Sequence, residues 1–418
     1  MKVLIKSALI ISSANKGKPT DILIENGFIT KIDKEINISA DKIIEKENLH
    51  VSAGWMDCFA NFCDPGNEYK ETLETGVNAA AAGGFTEVML VPNTNPVVHN
   101  KSQIEYIVQK SKHLPVTIHP IGAITKNAEG KELNEMYDMQ NAGALAFSDG
   151  TNSLQSSGIM LKALEYIKAF DGTIIQLPDD KNIAPHGLMN EGIVSIKLGL
   201  TGKPAISEEI LIARDIELLK YSSSKIHFTG VSTKRSLEII ENAKNDGLKV
   251  SCSVTPYHLF FCDEDVQNYD TNLKVNPPLR TKEDMLSLRE GVKNNIVDFI
   301  SSHHQPQHWD DKTCEFEYAK YGMIGLENVF GVAGICGIDF RDFVKMQTEN
   351  IRKIFGLNVL EIKVGAKANL TLFDPEIKYI FKEENIYSKS RNCPYIGKTL
   401  KGRTFGIING DKLFLNEI

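Results

Sequence analysis

The stretch LHVSAGWM-DCFANFCDPG, residues 49–66, decides how the rest of the chain is read. An apolar run ends on an acidic residue and passes a Pro-Gly turn. It gives way to NEYKETLETGVNAAAAGG (67–84), whose small apolar residues recur at helical spacing. This is a strand–turn–helix unit. Seven more runs of the strand type follow: TEVMLVPN (86–93), PVTIHPIGA (115–123), GALAFSD (143–149), GTIIQLP (172–178), KIHFTGVS (225–232), LKVSCSVTP (248–256) and IVDFISSHH (296–304). Most precede a helical segment. In TKRSLEIIENAKNDG (233–247), Leu237, Ile240 and Ala243 share a face and Gly247 sits where a C-cap belongs. Eight such units in about 300 residues fit a closed (β/α)8 barrel better than an open sheet.

The ends of the chain read differently. TDILIENGFITKID near the start, and AKANLTLFDP and GIINGDKLFL near the end, are short strands with Asn-Gly and Gly-Asp turns. They predict one small β-sandwich domain built from both termini, with residues 1–50 and 361–418 flanking a barrel over 51–360. The chain has 418 residues, is 42% hydrophobic and carries a net charge of −7. That balance lacks the basic footprint of a nucleic-acid binder. No run of about 18 apolar residues marks a membrane span. The apolar start MKVLIKSALI is interrupted by Lys6 and reads as an edge strand, not a leader. Seven scattered cysteines without a CxxC pair read as reduced thiols of a cytoplasmic protein.

A barrel of this kind carries its chemistry just past the strand ends. Those ends read 57–64, PNTNP (92–96), SDGTN (148–152), LPDD (177–180), TGVST (229–233), TPYHL (255–259), VNPPLR (275–280) and SSHHQPQHWDDK (301–312). Only the last is rich in polar side chains suited to chemistry.

Four longer runs carry a resemblance: ETGVNAAAAGGFTEVMLVPNTNPV, MNEGIVSIKLGLTGKPAISEEILIARDIEL, KVNPPLR and GMIGLENVF. Together they resemble the dihydroorotases of the amidohydrolase superfamily, colinearly from about residue 45 to 375. The resemblance implies a metal-dependent hydrolase barrel with one or two zinc ions. There a metal-bound hydroxide would open or close the dihydroorotate ring, because a cyclic amide is a poor electrophile unless a metal polarises it.

Carried over residue by residue, the family pattern departs consistently. Its first strand ends in Asp-x-His-x-His-x-Arg; this chain has Asp57, Phe59, Asn61 and Cys63 at the four specified places. Two further histidine ligands fall on Leu177 and Gly230. The catalytic aspartate falls on His303, and a substrate-contacting histidine on Gln307. One residue is deleted near the bridging carboxylate, which leaves open whether Asp149 is its remnant. Phe, Leu and Gly offer a metal no donor atom, and an amide oxygen is a weak zinc ligand. The resemblance therefore implies zinc for the family but no cofactor for this chain. His303 as a lone base would supply about 10²–10⁴-fold, short of the ~10⁶ where enzymatic acceleration begins.

Other polar residues have plainer readings. Asn93 and Asn276 match substrate-contacting asparagines, and equally suit turns beside prolines. Arg280 and Glu327 read as structural ion-pair members, Asp179 and Asp180 as surface-loop carboxylates, and His227 and His258 as packing histidines. His303, His304 and His308 are the one cluster where a new metal site is conceivable, although neighbours on a strand point to opposite faces. Three functions fit: a non-catalytic dihydroorotase homologue with a structural or regulatory role in pyrimidine synthesis, an active cyclic amidohydrolase with altered or absent metal, or a small-molecule binder. The expected partners are a second copy of the chain and, through the resemblance, aspartate carbamoyltransferase.

Overall fold

A computed structural model describes residues 1–12 and 15–416. Eight parallel strands form the central sheet: β1 (Trp55–Ala60), β2 (Phe85–Leu90), β3 (Thr117–Gly122), β4 (Ala146–Phe147), β5 (Ile174–Gln176), β6 (Ile226–Phe228), β7 (Val250–Val254) and β8 (Phe299–Ile300). They pair in chain order, each with the next, as strand–helix–strand units require. Their residues are almost all buried on both faces, which is why the runs read as continuously apolar. The connecting helices bury one stripe each. Lys234–Asn245 buries Leu237, Ile240 and Ala243, and ends where Gly247 turns left-handed at φ +79°.

The barrel is closed mainly by side chains. Among the described residues β8 and β1 share no ladder pairs. Instead the Ser302 backbone N–H and hydroxyl donate to Asp57, at 2.8 and 2.6 Å. The Ser301 hydroxyl donates to the Cys58 carbonyl, and the Asn61 N–H donates to the His304 carbonyl at 2.8 Å. Lower on the seam, Gln347 donates to the Ile300 carbonyl at 2.6 Å from a π-helical turn, Met346–Asn350.

The strands from both termini form one mixed eight-stranded sheet. The order runs Lys412–Leu415, Thr399–Asn409, Asn369–Ile380, His50–Ala53, Lys2–Ser12, Asn15–Glu25, Phe28–Asp33, with Lys42–Ile44 beside Lys2–Ser12. The Asn26-Gly27 turn connects Glu25 to Phe28, with φ of +50° and +82° as a two-residue hairpin demands. Gly27 lies against the other tip: a methyl there would sit 2.9 Å from Asp411 N. The run HVSAGWMD divides at Gly54, His50–Ala53 joining the terminal sheet and Trp55 opening the barrel. Gly54 is required where they cross, because a Cβ would meet Asn369 Oδ1 at 1.8 Å and Thr86 Oγ1 at 2.1 Å. At the strand N-termini, Glu87 of β2 binds His119 of β3 at 2.7 Å, Asn369 of the terminal sheet at 3.2 Å, and Arg352. Burial alone would raise the Glu87 carboxyl, but its bonds to His119 and Arg352 outweigh it and bring it down to about 2.

Candidate functional site

The C-terminal ends of β1, β5, β6 and β8 bring four of the singled-out residues together. The Phe59 ring lies 4.7 Å from the His303 ring, centroid to centroid. A Cβ on Gly230 would meet His303 Cε1 at 2.7 Å and Leu177 Cδ1 at 3.2 Å. The imidazole therefore occupies the space in front of Gly230, with Phe59 and Leu177 beside it. All three side chains are buried. The backbone is bent to achieve this: φ is +69° at Phe59, +69° at Gly230 and +44° at His303. Of these four residues only His303 carries a donor atom.

One of its two ring nitrogens is already engaged. His303 Nε2 lies 2.7 Å from the Thr229 hydroxyl, which is 3.0 Å from Ser253 Oγ. Ser253 in turn is 3.0 Å from His227 Nε2, and His227 Nδ1 is 2.9 Å from Ser251 Oγ. The His227 ring is stacked on Phe299 at 4.7 Å. Burial drives both imidazoles down to about 3, so both are neutral at physiological pH. His227 and His258 are buried, bonded side chains of the interior. His258 Nδ1 meets the Thr255 hydroxyl at 2.9 Å, and Nε2 the Pro277 carbonyl at 3.1 Å.

Asp149 stands apart from this group of four in its bonding. Both of its oxygens accept from Thr125, the backbone N–H at 2.9 Å and the hydroxyl at 2.6 Å. Burial holds its carboxyl up at about 6 against those bonds. Asn93 buttresses the same loop, donating to the Asp149 carbonyl at 3.1 Å and accepting from Thr151 N at 2.9 Å. Gly150, at φ +64°, is the residue the loop needs there, since a Cβ would sit 1.7 Å from Asn93 Oδ1. Asn61 spends its side-chain oxygen on Cys63 N at 2.8 Å. Burial pushes the Cys63 thiol up to about 12.

Asp179 corrects the reading of a surface carboxylate. It is 4% exposed and accepts from the Lys203 ammonium at 2.8 Å. Lys203 also donates to Asn276 Oδ1 at 2.9 Å, and Asn276 donates to Asp179 at 3.3 Å. Sequence reasoning missed Lys203, which reaches the cluster from a separate two-stranded ribbon, Met189–Asn190 with Gly202–Lys203. A lysine in an otherwise apolar loop was the available signal. Asp180 stays peripheral and accepts from Asn182 N at 2.9 Å. Arg280 lies 4.0 Å from Glu208, so its ion pair exists at the outer limit of contact, beside bonds to Asn190 and the Lys203 carbonyl. Glu327 makes no ion pair among the described residues; it accepts from Tyr387 N and Ser388 N at 3.2 and 2.9 Å. Gln307 accepts from Lys70 at 2.7 Å and donates to the Tyr321 carbonyl at 2.7 Å.

The three clustered histidines diverge. His304 turns away from His303 to Glu71, 3.4 Å from Nε2, while His308 is half-buried beside Asp310. Among the described residues no three His, Cys, Asp or Glu side chains converge on a point where a metal ion would sit. Nor is any described helix long and apolar enough to cross a membrane.

An eight-stranded barrel with its polar residues at the strand C-termini and a sheet from both chain ends is the fold of the cyclic amidohydrolases. L-Hydantoinase (dihydropyrimidinase) from Arthrobacter aurescens superposes with a TM-score of 0.86 at 21% identity, over 99% of this chain and 96% of its own. Dihydropyrimidinase from Brevibacillus agri does so at 0.83 and 17% identity, covering 100% and 95%. Sequence narrows the class. Residues 51–236 match the family described as Dihydro-orotase-like. The dihydroorotases of Acetivibrio thermocellus and Aquifex aeolicus are 39% and 40% identical, each covering the whole of both chains. The chain belongs to the dihydroorotase family.

Proposed function

We propose that this chain is a dihydroorotase homologue that does not carry out zinc-dependent ring opening and serves pyrimidine synthesis in a structural or regulatory role. The observation that carries the reading is the packing of Phe59, Leu177 and Gly230 around His303. In the family, bound zinc polarises the amide carbonyl and supplies hydroxide near neutral pH. The residues present here do not fit that ion. Three of the positions have no donor atom, His303 Nε2 faces Thr229, and both oxygens of Asp149 face Thr125. His303 is also a poor general base: a group brought down to about 3 is far below the operating pH.

The test is elemental analysis of the purified chain together with a dihydroorotate assay. The expected result is less than one zinc per chain and no turnover. Stoichiometric zinc with activity lost on chelation would overturn it.

The same reading includes a homodimer, a cytoplasmic location and association with aspartate carbamoyltransferase. What supports the partner is the family resemblance together with the retained frame: an interface needs only shape and apolar area. Light scattering on the co-expressed pair tests it. Independent elution at micromolar concentration, with unchanged transferase activity, would remove the partner from the reading.

A further inference from the structure

The ribbon that carries Lys203 encloses a short helix, Ile193–Leu198, whose polarity is inverted. A surface helix ordinarily buries its apolar stripe and turns its polar side to water. Here Ser195 is buried, and its hydroxyl is satisfied locally: it accepts from the Gly192 N–H at 3.1 Å and donates to the Gly192 carbonyl at 2.9 Å. Ile193 and Ile196, three residues apart and so on one face, are instead 72% and 80% exposed. Half-buried Leu198 continues the apolar surface to Tyr269, whose exposed ring is held there by its hydroxyl, which donates to the Leu198 carbonyl at 2.9 Å.

Charges of opposite sign bracket this face. Glu191 lies just before the helix, against Gly202, where an added Cβ would meet the Glu191 Cβ at 2.7 Å. Lys197 lies in the last turn. Both are exposed, and neither makes an ion pair among the described residues. A segment with an anion at one end, a cation at the other and an apolar middle is complementary to itself when two copies run antiparallel. Run in parallel, the same segments would set like charges side by side.

We infer that this face docks against the same face of a second copy of the chain, the two helices antiparallel about a two-fold axis. In such a contact every pairing occurs twice. Ile193 and Ile196 pack across the axis, and on each side Glu191 meets the partner's Lys197. The inference rests on the homodimer proposed above and gives it a surface. A standard interface covers about 800 Å² per partner. A six-residue helix with one tyrosine covers less, so the dimer is weak, dissociates in the micromolar range and loosens further as salt screens the two charge pairs.

The test is sedimentation velocity of the full chain over a micromolar concentration series. The parent should associate reversibly to a dimer. Ile196→Asp, which alters an exposed side chain, should weaken that dimer about tenfold or more. Glu191→Lys alone, or Lys197→Glu alone, should weaken it several-fold, because each sets like charges across the axis twice. Mixing those two single variants should restore a dimer of one with the other, and the double variant should dimerise like the parent. A dimer indifferent to Ile196→Asp, or a double variant no better than either single one, would overturn the inference and leave the homodimer standing on another face. A monomer at every concentration would overturn the face and the homodimer together, while the non-catalytic reading would still be decided by the zinc and turnover assays.

Discussion

Gly230 and His303 form a pair in which each sets the conditions for the other. The left-handed backbone at Gly230 is strained for any L side chain, and a methyl there would enter the imidazole. Gly230→Ala should therefore lose about 2–4 kcal/mol, combining backbone strain with overpacking. Adding His303→Ala should return part of that loss. Urea unfolding of the two single variants and the double is the check, and strict additivity would show that the residues do not compete for one space. Restoring imidazoles by Phe59→His with Leu177→His should also destabilise, by roughly 1–3 kcal/mol per unpartnered ring. A double variant as stable as the parent would mean the apolar pair does not fill its site. The strand runs placed these four residues at or near strand ends, and it was the family resemblance that singled out these four. Asp179 was not legible. Its burial depends on Lys203, which is 24 residues away and reaches it only through tertiary folding.

At the scale of elements, all eight barrel strands were readable as short apolar runs between turn signals. The seam between β8 and β1 was not, because side chains make most of it. A π-helical insertion leaves no periodic trace in a sequence, and Gln347 looks like any surface glutamine until its amide is found under the Ile300 carbonyl. The division of HVSAGWMD was also hidden, since a strand that changes sheets at one glycine keeps its alternating appearance. The seam bonds are expected to matter. Gln347→Leu removes the donor from a buried carbonyl and should cost about 1–3 kcal/mol. Asp57→Ala orphans both the Ser302 N–H and hydroxyl and should cost at least as much. Hydrogen exchange should show the loss concentrated in β8 and β1 in both variants. Uniform loosening of the barrel would argue against a side-chain seam.

For the molecule as a whole, buried titrating groups predict how stability follows pH. His227 and His258 are held near 3, while in the unfolded chain they titrate near 6.5. The unfolded state thus binds more protons below about pH 6.5, and stability falls as pH drops from there toward 3. Glu87, brought down to about 2, adds a loss between about 4.5 and 2. Asp215 works the other way: burial raises it to about 7, so it costs stability as pH rises from about 3.8 to 7. His303, also near 3, adds to the loss, while Asp57 and Asp149, raised by burial to about 7 and about 6, oppose it, so stability is nearly level between about pH 6.5 and 4.5 and falls below that. Urea midpoints across this range test it, and equal midpoints at pH 3.5 and 6.5 would refute it. Chelators should leave Tm unchanged throughout. The shared terminal sheet has a consequence for synthesis. His50–Ala53 pairs with Asn369–Ile380, so the strand that leaves the ribosome early waits for one made 316 residues later. At about 5–20 residues per second that interval is roughly 16–63 s. During it the edge of the amino-terminal strands is open to any passing chain, so the nascent protein needs shielding that the finished one does not.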